Sequence, residues 1–150
     1  MARPADHDPE SHRLSIAREL PAIGPVADLV HRLAAGVLDE DGVAAVELAL
    51  VEALTNAILH GTLESAARIE IAITLGADAM VIEIIDSSPP MPFLLLQDAG
   101  EHKMAFDPDD LYSIPESGRG LSLIVMSMDE VTYRHVGDKT HLRMRRNRLH

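Results

Sequence analysis

The stretch VEALTNAILHG, Val51–Gly61, places Glu52, Thr55 and Asn56 inside a run that is otherwise almost wholly Ala, Leu, Val and Ile from Val43 onward. An apolar segment of this length ended by a glycine predicts a helix over Val43–His60 with Gly61 as its C-terminal cap. Glu52, Asn56 and His60 fall at i, i+4 and i+8 and so stack on one face, with Thr55 beside them. The neighbouring apolar content predicts a helix buried on most sides. There, a Glu and an Asn one turn apart line a cavity or meet a ligand, whereas Glu47 reads as an ordinary surface carboxylate. Asn supplies a neutral carbonyl oxygen suited to a hard cation such as Mg²⁺. Glu, one turn away, can take a proton from an attacking hydroxyl.

Outward from this helix, the chain has the length of one domain: 150 residues, enough to bury roughly two-thirds of the unfolded surface. Residues 1–10, polar with two prolines, read as a disordered lead-in, and 11–150 as a single domain. No cysteine is present, which excludes a disulfide framework and a Cys-ligated zinc site. No signal-peptide pattern or long apolar membrane span is read from the sequence, so the expectation is a soluble, cytoplasmic protein with no membrane partner. The formal net charge of −11 disfavours direct binding to nucleic acid and points to a protein or small-molecule partner. Arg143, Arg145, Arg146 and Arg148 are a short basic exception that reads as a solvated strand end.

HRLSIAREL (His12–Leu20) alternates like a strand. Pro25 opens a helix with Val26, Val30, Leu33 and Val37 on one stripe, and Asp39–Gly42 reads as a break before the next helix. ARIEIAITL and MVIEIIDSS are two strands joined by Gly76–Ala79 as a hairpin. Pro89–Ser117 is long, Pro-containing and weakly patterned, as a lid or binding loop would be. A last helix carries Leu121, Ile124, Val125 and Met128 on one face, and VTYRHV and THLRMR form a closing hairpin around Gly137-Asp138. With hairpins in place of a strand-helix-strand alternation, the predicted fold is α+β: a two-layer sandwich of helices on one face of a mostly antiparallel sheet.

Two further features carry chemistry. Asp86 shares the face of Ile82 and Ile84, which turns its carboxylate toward the helix layer; it reads either as a strand-end turn residue or as the acceptor for an amino group such as that of adenine. Gly118-Arg119-Gly120-Leu121, at the start of the last helix, joins glycine backbone, helix N-terminus and a guanidinium in an anion-binding arrangement.

Taken in order, Glu-x-x-x-Asn on a helix, Asp at a strand end, a long loop and Gly-Arg-Gly-Leu opening a helix resemble the GHKL ATPase superfamily with its Bergerat nucleotide-binding fold. Val46–Gly61 and Gly118–Tyr133 are most similar to the nucleotide boxes of the small anti-sigma factor serine kinases of bacterial partner-switching systems, and the likeness runs from about Leu14 to Arg145. That resemblance implies ATP and Mg²⁺ as cofactors. Asn56 would hold the metal, Glu52 would be the general base toward a partner serine, and Asp86 would take the adenine amine. Gly118, Arg119, Gly120 and Leu121 would cradle phosphate, and Thr140 would support the adenine end. It also implies a sigma factor and a STAS-type antagonist as partners, and a homodimer. The chain departs from the pattern at Ser88, where Asp-x-Gly is usual and glycine lets the backbone approach the base, and at Gly137-Asp138-Lys139-Thr140. Ser88 opens the alternative of a non-catalytic anti-sigma or interaction module with a degenerate nucleotide site.

Overall fold

The computed structural model describes residues 10–60, 68–87 and 123–148. Among these residues five strands form one fully antiparallel sheet: β1 (Glu10–Ile16), β2 (Ile69–Leu75), β3 (Ala79–Asp86), β4 (Glu130–Val136) and β5 (Lys139–Asn147), in the spatial order β1-β2-β3-β5-β4. Two helices, α1 (Ile23–Ala35) and α2 (Glu40–His60), intervene between β1 and β2. The α+β two-layer architecture expected from the sequence is the one observed.

Period-two alternation decides which side of the sheet meets the helices. Ile69, Ile71 and Ile73 of β2, Met80, Ile82 and Ile84 of β3 and Met144 of β5 point inward and are fully or nearly fully buried. Burial of each such side chain contributes roughly 1.5 to 3 kcal/mol. Glu70, Glu83 and Arg143 alternate onto the other face. From the helix layer, Val26, Val30 and Ala34 of α1 and Val46, Ala49, Leu50, Ala53, Leu54 and Ala57 of α2 complete the same core. Ile124 and Met128, in and just after a helical segment at 123–127, join it as well.

The hairpins are built as their turn residues require. Gly76 N–H donates to Ala79 O at 2.9 Å to close the β2–β3 turn. Gly137-Asp138 forms the two-residue β4–β5 connection, and Gly137 has φ +64 as the only positive-φ residue among those described. A positive φ at the first central position alone is the type II′ turn that matches strand twist. The terminal arginines serve this framework: Arg146 donates to Ser127 O at 3.0 Å and Arg148 to Gly76 O at 3.0 Å.

Several element boundaries differ from the periodicity. β1 already includes Glu10, whereas the rest of the expected lead-in lies outside the described residues. A 3-10 turn, Leu20–Ala22, precedes α1, which starts two residues before Pro25 and stops before Val37. The acidic stretch Asp39–Gly42 does not separate the helices; it starts α2. Asp39 Oδ1 accepts from Gly42 N–H at 2.8 Å, and Val43 N–H donates to Asp39 O at 2.9 Å as the first helical bond. That is N-capping by Asp, with Glu40 and Asp41 suitably placed at the positive end of the helix dipole. Asp39→Ala is therefore expected to cost about 1 kcal/mol of stability, read as a lower urea midpoint at unchanged m-value. Gly61, expected to end α2, lies outside the described residues, as do Leu121 and the loop Pro89–Ser117.

α2 also corrects two sequence expectations. By length and composition Glu40–Leu59 is apolar enough to cross a membrane. In the fold, however, its buried positions form one stripe packed into the core, and the helix is not enclosed on most sides: Leu48 is 41 % exposed and Leu59 61 % exposed.

Candidate functional site

The site is organised by which flank of α2 each polar residue occupies. Successive residues of a helix turn by about 100°, so Glu47 and Asn56 point to opposite sides, about 180° apart, while Glu52 lies within about 40° of Asn56. The Glu47 flank faces α1, where His31 Nδ1 and Glu47 Oε1 are 3.1 Å apart. Glu47 is thus engaged between the helices, more than the surface carboxylate expected from the sequence. Glu52 and Asn56 occupy the flank turned away from α1, beside the buried Ala49 and Ala53. Both are half-buried, placing their polar ends at the border between core and solvent. Thr55 lies between them in sequence but is rotated toward the open side of the helix.

A second polar cluster stands at one end of the sheet. Asp86 closes β3 and pairs in register with Thr140 of β5. The Thr140 hydroxyl donates to Asp86 Oδ1 at 2.6 Å. Both residues are buried, Asp86 at 4 % and Thr140 at 6 % exposure, in a core whose other buried members are apolar. Asp86 therefore does turn toward the helix layer, as its face-sharing with Ile82 and Ile84 predicts. A buried carboxyl needs donors, and Thr140 fills one of its roughly four acceptor positions. α2 contacts both β3 and β5, the strands that carry this pair.

Thr140→Val removes the hydroxyl while preserving shape. Losing this donor to a buried carboxyl is expected to cost roughly 1 to 3 kcal/mol, read in urea unfolding.

Ser88, Gly118, Arg119, Gly120 and Leu121 lie outside the described residues. Among the described residues no group of three His, Asp or Glu side chains could hold a metal ion. The donors on hand instead fit a metal that takes few ligands from the protein. A half-buried Asn carbonyl beside a carboxylate suits Mg²⁺, which keeps several waters and draws its other ligands from phosphate oxygens. The buried Asp86–Thr140 pair, an acceptor fixed by a donor at a strand end, suits the amine edge of a purine.

One residue near the site had no signal in the sequence. Arg18, which the alternation of HRLSIAREL assigns to a strand, lies past the end of β1, and its Nη1 donates to Ala57 O next to Asn56.

No curated protein matches the chain. The family model for the histidine kinase-like ATPase domain matches residues 16–146, which takes in both flanking helices, the whole Asp86–Thr140 pair and the polar stripe of α2. The chain belongs to the histidine kinase-like ATPase family of the GHKL superfamily, a class of ATP-binding domains.

Proposed function

We propose that this protein is a cytoplasmic anti-sigma factor and ATP-dependent serine kinase, which sequesters a sigma factor and phosphorylates a serine of a STAS-type antagonist. The observation that carries the reading is the pairing of Glu52 with Asn56 on the flank of α2 turned away from α1, in a chain whose buried Asp86–Thr140 pair suits adenine. The charge of −11 supports protein partners over nucleic acid, and a homodimer is part of the proposal.

ATP is the phosphoryl donor. Asp86, held by Thr140, accepts from the adenine amine and fixes that end of the nucleotide. Asn56 would hold Mg²⁺, which when bound would supply charge neutralisation at the phosphates. Glu52 accepts the proton of the incoming serine hydroxyl as its oxygen bonds to the γ-phosphorus; the bond to the bridging oxygen breaks, and ADP leaves. Phosphoryl transfer asks chiefly for positioning and charge neutralisation, so few side chains suffice. Gly118, Arg119, Gly120 and Leu121 are assigned to the phosphates.

Ser88 favours a second reading, a non-catalytic interaction module, because a side chain there opposes close approach of the base. A third is an ATPase without a protein substrate. Incubating the protein and Mg²⁺ with γ-labelled ATP and purified STAS-domain proteins separates them. Label on a partner serine, with slow hydrolysis by the protein alone, is expected. Rapid hydrolysis by the isolated protein with no labelled partner overturns the kinase reading.

A further inference from the structure

Arg18 follows β1 by two residues, and its bond to Ala57 O spans 39 positions of sequence. α2 is described as far as His60, so Ala57 lies in its last described turn, where a carbonyl oxygen with two lone pairs can accept from a side chain. A guanidinium is favourable toward the C-terminal part of a helix, because it donates to a carbonyl and opposes the negative pole of the helix dipole. Asn56 immediately precedes Ala57, near the limit of the described helix, whereas Glu52 lies a full turn deeper.

The remainder of the side chain is poorly provided for. Nε and Nη2 of Arg18 are both buried, and neither has a hydrogen-bond partner among the described residues. They are the two N–H groups on one edge of the guanidinium, the parallel pair that a carboxylate or phosphate takes bidentately. Both are shut off from solvent, so a dissolved anion does not reach them. Two unmet buried donors on a cation make a costly means of holding one carbonyl, and an apolar side chain of similar length would serve stability as well or better. Fold stability is therefore not what this residue supplies.

We propose that Arg18 is a positioning residue for Asn56: it clamps the last turn of α2 and so fixes the carbonyl that receives Mg²⁺. The clamp itself stands on the Arg18–Ala57 bond; its consequence for the metal rests on the function proposed above.

The test compares Arg18→Met and Arg18→Lys with wild type in three measurements: urea unfolding, titration with ADP with and without Mg²⁺, and hydrogen exchange of the backbone amides of α2. Arg18→Met is expected to be as stable as wild type or more so, and to bind metal-free ADP unchanged. It should lose roughly ten- to a hundredfold of the affinity that Mg²⁺ adds, the usual effect of removing a group that orients a metal ligand. Lys keeps the charge and one donor to Ala57 O without the empty fork, and should restore most of that gain. Full Mg²⁺ enhancement in Arg18→Met overturns the proposal, and so does a loss of affinity that merely tracks a loss of stability. If wild type shows no Mg²⁺-dependent binding, the proposed function fails separately. Exchange then decides the clamp: acceleration confined to the last turn of α2 in Arg18→Met supports it, and unchanged protection overturns it.

Discussion

Glu52→Gln is expected to lower phosphate transfer to the partner serine by roughly a hundredfold or more, the usual scale for loss of a general base, while Mg·ATP binding stays near the wild-type level. The substitution is nearly isosteric and falls on a half-buried flank outside the packed stripe, so neither the core nor the helix is disturbed. What disappears is a basic oxygen that can take the serine proton. An amide in its place can still orient a hydroxyl but cannot accept its proton, so the loss should sit in the transfer rate and spare nucleotide affinity. Comparing single-turnover transfer with calorimetric ATP affinity in the two proteins checks both halves. Unchanged transfer would remove Glu52 from the role of base.

Asn56→Ala carries the other large effect. Among the described residues no cluster of acidic or histidine side chains offers an alternative metal site, so the proposed Mg²⁺ has one protein donor on α2. Losing it is expected to abolish the Mg²⁺-dependent part of ATP binding and leave the weaker metal-free binding in place. Ala also favours the helix more than Asn does, so global stability should not fall. Titration of ATP with and without Mg²⁺ against the variant reads the effect directly. Metal dependence that survives would place the metal elsewhere.

These residues were legible to unequal degrees. The hairpins could be read because alternation and turn chemistry act locally: Ile69, Ile71 and Ile73 against Glu70 and Thr74, then Gly76; Gly137-Asp138 between two alternating runs. The start of α2 is hidden in the sequence because Asp39–Gly42 has the composition of a break, while the Asp39 side chain accepts from Gly42 N–H and caps the helix. The orientation of α2 was hidden by its own apolar surplus. Leu48, Val51, Ile58 and Leu59 lie off the buried stripe, so hydrophobicity alone showed no periodicity to tell one flank from the other.

Non-local placement was the least readable. β5 inserts between β3 and β4, and nothing in a hairpin sequence says which of its strands will pair with an earlier one. The Asp86–Thr140 bond depends on that choice: one step of register would turn Thr140 to the outer face. Thr140 therefore entered the site only through family resemblance, and its partner was unreadable until the sheet was assembled. Arg18 is the same case in stronger form, since its acceptor is a backbone carbonyl on another element.

The flank of α2 bearing Asn56 and the Asp86–Thr140 end of the sheet are proposed to bind Mg·ATP together, despite Ser88. Calorimetric titration of the purified protein with ADP and with ATP, each with and without Mg²⁺, tests it most directly. Micromolar binding that strengthens with Mg²⁺ is the predicted result; no binding at millimolar nucleotide would contradict it and leave a protein-interaction module built on an ATPase fold.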